Sequence, residues 1–510
     1  MSSRRMQVFT MAKTPCLMTA IPLDIVSIIL DNLELSDVKS TRLTCKYLSA
    51  IGPRFRSFVV QQTTDLDVDS LQRQQELASH PQLRSAVTKL VVMAAVFDTS
   101  ELVRMLKTKT RQIVDFKGPF TTVSELALTN DELLQAASDL EWMHAQQSRQ
   151  KIQKLPEIID ALATVLRLYG ALDTIDLNAC VTKGPRLRVS TAQAGEWHPV
   201  FIRASEVYQI TTSAIALSGL SLNTLLVYRA TPSCSVPSFD VTSHIAKLEA
   251  LPSFASAFSS LENFALSFST RVKTDSSMIE SARDEIQGDD AADDDSSDSM
   301  SYDIGHYSHE NPEATVEDNF PGVARMLHWM PKLDAFDLHM TDTLDGSSSM
   351  YQKIFEYIGN EVKLPLLTKV LLRGLPASEE SLLKFFDNHQ SISDLTIDEM
   401  KLSSGSWKRV IGHISQLPDL SNLRLSNLFD EGGVFNLLSK TTGDDRQPYE
   451  TPENSYHCAR GVKVHTRTFG SADIQLLRTG LEFDDTDIGR SLGSPQVMRW
   501  AQLRRFRYSL

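Results

Sequence analysis

The chain has 510 residues and a formal charge of −13, with 42% hydrophobic and 23% charged residues. A chain of this length makes either about three ordinary domains or one repeat array, and no uncharged apolar run approaches the ~18 residues that a membrane-spanning helix requires. Nine acids and no Lys or Arg fall between Asp284 and Asp303, leaving about −4 on the remainder. No basic stripe is left to neutralise phosphates, so nucleic acid is not expected as a ligand.

In chain order, residues 1–19 read as a disordered N-terminus. Their apolar residues are interrupted by Gln7, Thr10, Lys13 and Thr14, unlike the apolar core of a secretory signal. Residues 20–60 read as three short helices. Pro22 suits a first helical position, where its missing N–H costs nothing. Ile25, Ile28, Ile29 and Leu33 follow at spacings that share one helix face. Ser36 and Asp37 cap a second helix bearing Val38 and Leu43. Cys45, Leu48 and Ile51 form a third apolar set, cut off by Gly52–Pro53. A unit this small cannot hide all of these side chains, so the remaining stripe needs a partner.

The stretch "IPLDIVSIILDNLELSDVKSTRLTCKYLSAI" resembles an F-box in Pro22, Asp24, Ile28–Leu30, Leu33, Asp37–Val38 and Cys45–Lys46. It departs at Leu48, where many F-boxes carry an aromatic residue; here Tyr47 stands beside it. The resemblance implies docking on the Skp-type adaptor of a cullin ubiquitin ligase, with Pro22, Ile25, Ile28, Leu30, Leu33, Val38, Leu43 and Lys46 on the docking face. The alternative is a helical hairpin packed only against its own chain.

Residues 61–155 read as a helix-rich connector with a candidate first repeat at Val87-Leu90-Val92. From 156 to 440 the pattern apolar-x-x-apolar-x-apolar recurs, as in Leu172-Ile175-Leu177, Leu222-Leu225-Val227, Leu261-Phe264-Leu266 and Leu333-Phe336-Leu338. Leu367-Val370-Leu372, Ile392-Leu395-Ile397 and Leu420-Leu423-Leu425 complete the set. The last two residues of each signature alternate along a short strand and point to one side. Helical patterns lie between: Val323, Met326, Leu327 and Met330; Ile354, Phe355 and Ile358; Leu382, Leu383 and Phe386; Trp407, Val410, Ile411 and Ile414. Trp407 reads as core, with Ser404 or Ser406 as the cap of its helix.

The tightest intervals, 25 and 28 residues, match the spacing of leucine-rich repeats, whereas earlier ones are longer. Only Cys180 stands where regular repeats place Asn or Cys. The expected fold class is α/β: a short three-helix F-box followed by an irregular leucine-rich-repeat (strand–helix) solenoid. An ordinary α/β sheet would read similarly, and the recurring signature favours the solenoid. "LASHPQLRSAVTKLVV" and "LSSGSWKRVIGHI" also resemble fungal F-box proteins with degenerate leucine-rich repeats.

Residues 270–318 read as an acidic disordered insertion: a solvated loop, an acidic lure for a basic partner, or a phosphorylation segment around Ser296, Ser297 and Ser299. His306, His309 and Glu310 within it lack the further ligands a metal site needs. Residues 441–510 read as a C-terminal cap or tail with one strand at Val462–Val464. Five scattered cysteines without a C-x-x-C pair suit reduced thiols in cytosol or nucleus. No glycine-rich phosphate loop, nucleophile elbow or zinc-helix motif occurs, so neither catalysis nor a cofactor is expected. The expected role is a non-catalytic receptor that brings a protein target to the ligase. A leucine-rich-repeat scaffold working outside any ligase is the alternative, and an α/β enzyme the third reading.

Overall fold

The structure, a computed structural model, describes residues 60–117, 120–185, 187–191, 198–269, 316–341, 348–430, 433–437, 455–458, 461–480 and 483, with isolated positions 21, 37, 40, 43 and 44. It is a mixed α/β fold built on an open, mostly parallel sheet. The main run of strands is β1 (Gln61–Thr64), β2 (Lys89–Phe97), β5 (Thr174–Gly184), β7 (Thr224–Val227), β9 (Asn263–Ser269), β10 (Ala335–Thr341), β11 (Lys369–Arg373), β13 (Asp394–Asp398), β15 (Asn422–Ser426) and β20 (Thr466–Gly470). Their spatial order follows their sequence order throughout. All neighbours in this run are parallel except β20, which lies antiparallel to β15.

Apolar side chains fix the register. Leu90, Ile175, Leu225, Phe264, Phe336, Val370, Leu395 and Leu423 lie side by side across eight strands. Val92, Leu177, Val227, Leu266, Leu338, Leu372, Ile397 and Leu425 form the next row. None of these sixteen side chains is more than 3% exposed. Each signature residue on the approach to a strand, from Val87 to Leu420, is buried as well.

Helices cover these rows. They include α1 (Val68–Ser79) and the single turn α2 (Pro81–Arg84) between β1 and β2, then α5 (Leu155–Leu168) before β5 and α6 (His198–Ser218) before β7. Further along come α7 (Ser238–Leu248), α8 (Phe254–Phe258), α9 (Gly322–His328), α10 (Gln352–Glu361), α11 (Glu379–Asn388) and α12 (Trp407–Ser415). Val323, Met326 and Leu327 of α9 and Ile354, Phe355 and Ile358 of α10 join one core with the strand rows. In α11 the buried set is Leu382, Phe385 and Phe386; Leu383, expected inside, is only partly buried, because Phe385 takes the inward position. Trp407, Val410, Ile411 and Ile414 are all inside, and the Trp407 indole donates to the Phe429 carbonyl at 2.8 Å. Ser406 is the residue before α12 but makes no side-chain cap. Glu379 of the preceding helix does that work, accepting from the Ser406 backbone N–H and from Arg409, both at 2.7 Å.

The stretch expected as a helical connector contributes β1 and β2 to the sheet edge. After β2 comes a side unit of α3 (Ser100–Thr108), an antiparallel hairpin of β3 (Thr110–Lys117) and β4 (Phe120–Ala127), and α4 (Asn130–Ile152). Thr129 and Glu132 form a reciprocal capping box at the start of α4. Residues 316–318, placed in the acidic insertion by the sequence pattern, precede α9, and Glu317 pairs with Lys353 and Tyr357. At the far end β20 and α13 (Ser471–Arg478) close the last parallel strand. A short hairpin of β18 (Ser455–Cys458) and β19 (Gly461–Val464) precedes them. The side strands β6 (Leu187–Val189) and β8 (Val236–Pro237) pair with β5 and β9.

One turn recurs at the ends of β11, β13 and β15. Gly374, Glu399 and Asn427 each adopt a positive φ, of 68°, 55° and 46°. Their backbone N–H groups donate to Asp398, Ser426 and His465 carbonyls. The chain then buries Leu375, Met400 and Leu428 and forms a second small sheet from β12 (Pro376–Ser378), β14 (Lys401–Ser404), β16 (Phe429–Asp430) and β17 (Gly433–Val434). At Gly374 an added Cβ would strike the Met340 carbonyl oxygen, whereas Gly412, in α12, has open space around it. Gly374→Ala is expected to lower stability by about 1–3 kcal/mol, and Gly412→Ala to raise it by about 1 kcal/mol. Urea unfolding of the two variants checks both signs.

Candidate functional site

Strand side chains alternate, so the residues between the apolar rows point to the face of the sheet opposite the helices. Leu226, Ala265, Asp337, Leu371, Thr396 and Arg424 form one such row across β7 to β15. Ser267, His339, Arg373, Asp398 and Ser426 form the next. They border two adjoining grooves of about 300 and 270 Å³ that share Ala265, Asp337, Leu371 and Thr396, and the Arg229 side chain, just beyond β7, lines both.

The charges here are layered. Lys89 pairs with Asp176 at 2.7 Å, Arg229 with Asp337 at 2.6 Å and Arg373 with Asp398 at 3.0 Å. In the two groove pairs the aspartate is 15% and 12% exposed and the arginine 54% and 44%. A short aspartate stays flush with the backbone, while the longer arginine reaches over it, Arg373 from the adjacent strand and Arg229 from beyond β7 across β9, and keeps its outer face in water. Burial pushes the Asp337 carboxyl up, against the pull of Arg229 and Arg373. Arg424 and Lys369 line the same face and have no carboxylate partner among the described residues.

His339 sits at the base of the groove. Burial, reinforced by the Arg373 guanidinium, lowers its pKa to about 4, so the ring is neutral at pH 7. Its Nδ1 lies 3.4 Å from the Ser267 hydroxyl. That contact invites comparison with a nucleophile and its base. Ser267, however, is buried and donates its proton to the Tyr228 carbonyl at 3.1 Å. A base with so low a pKa removes a proton poorly at neutral pH, and the backbone N–H groups of paired strands are not free to hold an oxyanion. The arrangement is suited to binding charged and hydrogen-bonding groups.

Of the residues expected on the docking face, Leu43 is described: it lies in a helix and is 89% exposed. Pro22, Ile25, Ile28, Leu30, Leu33, Val38 and Lys46 lie outside the described residues, as do Asp284–Asp303, His306, His309 and Glu310. Among the described residues no cluster of His, Cys, Asp or Glu is placed to hold a metal ion, and no helix is long and apolar enough to cross a membrane. Cys180 and Cys234 are buried free thiols, both pushed upward in pKa by burial. Sequence reasoning did not select the groove residues. The available signal was position: Asp337, His339, Arg373, Asp398 and Arg424 each stand one residue after an apolar member of a strand signature. No protein-family model matches the chain, and no curated protein matches it.

His244, accepting or donating at 2.8 Å to Thr212, has a pKa lowered to about 4 by burial, and burial lowers that of His389 too. With His339, these imidazoles are held below the ~6.5 of an unfolded histidine, so the folded chain binds fewer protons than the unfolded one. Their contribution is complete above pH ~6.5 and is lost as the pH falls towards 4. Between pH 7.5 and pH 5, His244 alone is expected to remove about 2 kcal/mol of stability. Urea midpoints measured across that range check the slope, and His244→Gln should flatten it.

Proposed function

We propose that this chain is a non-catalytic substrate receptor of a Skp–cullin ubiquitin ligase. The N-terminal block docks on the adaptor, and a leucine-rich-repeat-like solenoid holds a protein target on its open face. The observation that carries the reading is the strand array itself: recurring signatures stand in sequence order and in register, with helices over one side and a charged groove along the other. A surface of this kind grows by one unit at a time and offers an extended concave binding face. At the Asn or Cys place of regular repeats stand Leu375, Met400 and Leu428, so apolar packing replaces the usual side-chain hydrogen bonds in these turns.

The ligase half of the reading rests on the F-box resemblance of residues 20–51, and the exposed apolar Leu43 supports a face that awaits a partner. The receptor's contribution is proximity. Holding a target near the charged ubiquitin carrier raises its effective concentration there, and the chemistry belongs to other subunits.

Pulldown from cell extract with the full-length chain is expected to retain a Skp-type adaptor and a cullin, and a Pro22→Ala, Ile25→Asp double variant to retain less than a tenth as much. Circular dichroism of the variant checks that the fold persists. Absence of both partners from the wild-type pulldown would instead favour a repeat scaffold working outside any ligase.

A further inference from the structure

The open face has a sign that the whole chain does not. Arg229, Lys369, Arg373 and Arg424 stand against Asp337, Asp394 and Asp398, a net of +1 on a chain of −13, with His339 neutral. The layering sharpens this. The aspartates of the two groove ion pairs lie at the base, so an approaching partner meets guanidinium groups first. Arg424 is exposed and has no carboxylate among the described residues. Asp394, the third acid, already accepts from the Asn422 side chain at 2.8 Å.

We propose that the groove across β7 to β15 binds an extended acidic segment of a partner protein, through carboxylates set on Arg229, Arg373 and Arg424. Strands in a sheet lie ~4.8 Å apart, so these three arginines, on or beside β7, β11 and β15, mark a track of about 24 Å. One side of an extended peptide presents a side chain every ~7 Å. Ten residues therefore bring a carboxylate to each arginine. The charge count favours carboxylates over phosphates. Two of the arginines are already half-neutralised by their own aspartates, and a doubly charged group would face those aspartates at close range. The proposal deepens the reading of the open face as the partner-holding surface and does not depend on the adaptor-docking half.

The test is fluorescence anisotropy of the full-length chain with a labelled ten-residue peptide of alternating Glu and Ser, against the same peptide with Gln in place of Glu. Binding of the Glu peptide at least tenfold tighter than the Gln peptide is expected, weakening with added salt. Arg424→Glu should lower the affinity at least tenfold and Arg424→Lys by no more than about threefold. Both variants should keep the wild-type circular dichroism and adaptor pulldown. Equal binding of the two peptides, or no effect of Arg424→Glu, would overturn the proposal, as would a phosphoserine peptide binding tenfold more tightly than the Glu one. Binding that emerges only on deletion of residues 284–303 would also overturn it, by identifying the chain's own acids as the occupant. Retention of adaptor and cullin alongside a failed peptide assay would leave the ligase reading standing.

Discussion

Register holds this fold together. Because strand side chains alternate, a slip of one residue between neighbours would turn an entire apolar set towards water. The rows running from Leu90 to Leu423 and from Val92 to Leu425 therefore tie every strand to the next. Crossovers between parallel strands are right-handed almost without exception, and strands added always on the same side keep their connecting helices on one face. A sheet whose order reverses midway has helices on both faces. This one does not reverse from β1 to β15, and on its second face a groove lies open across β7 to β15.

That geometry separates what could be read from the residues from what could not. The eight apolar signatures announce themselves by type and spacing, and each became a strand at the place its spacing marks. Trp407 was legible as core for the same reason: a large aromatic at helical spacing from Val410, Ile411 and Ile414. The charged groove was not. Asp337, His339, Arg373 and Asp398 read locally as the solvated positions of amphipathic strands, and their partnership exists only once strands distant in the chain are laid in register. Arg229 and Asp337 are more than a hundred residues apart along the chain, beyond any local pattern.

The turns show the same division. Gly374 and Asn427 are residue types that tolerate a positive φ and mark a turn on sight. Glu399 does the same work without any such signal, held by its N–H bond to Ser426 and by the burial of Met400. Glu379 is another case: an acid in the first turn of a helix normally serves its own helix terminus, yet here it caps the next one. The hairpin of β3 and β4 interrupted a stretch that reads as helix, because "RQIVDF" is short enough to suit either state.

The reversed direction of β20 makes that end of the sheet unlike its middle. Every interior unit offers a parallel edge on both sides, so a block of 25 or 28 residues could be copied or lost in the interior by joining like surfaces. Beyond β20 no such joint exists, since its pairing with β15 runs the other way. A gain or loss of whole units is therefore accommodated by the geometry of the interior and not by that of the β20 edge. Each unit added in the interior would lengthen the open face by one strand spacing and leave the terminal pairing unchanged.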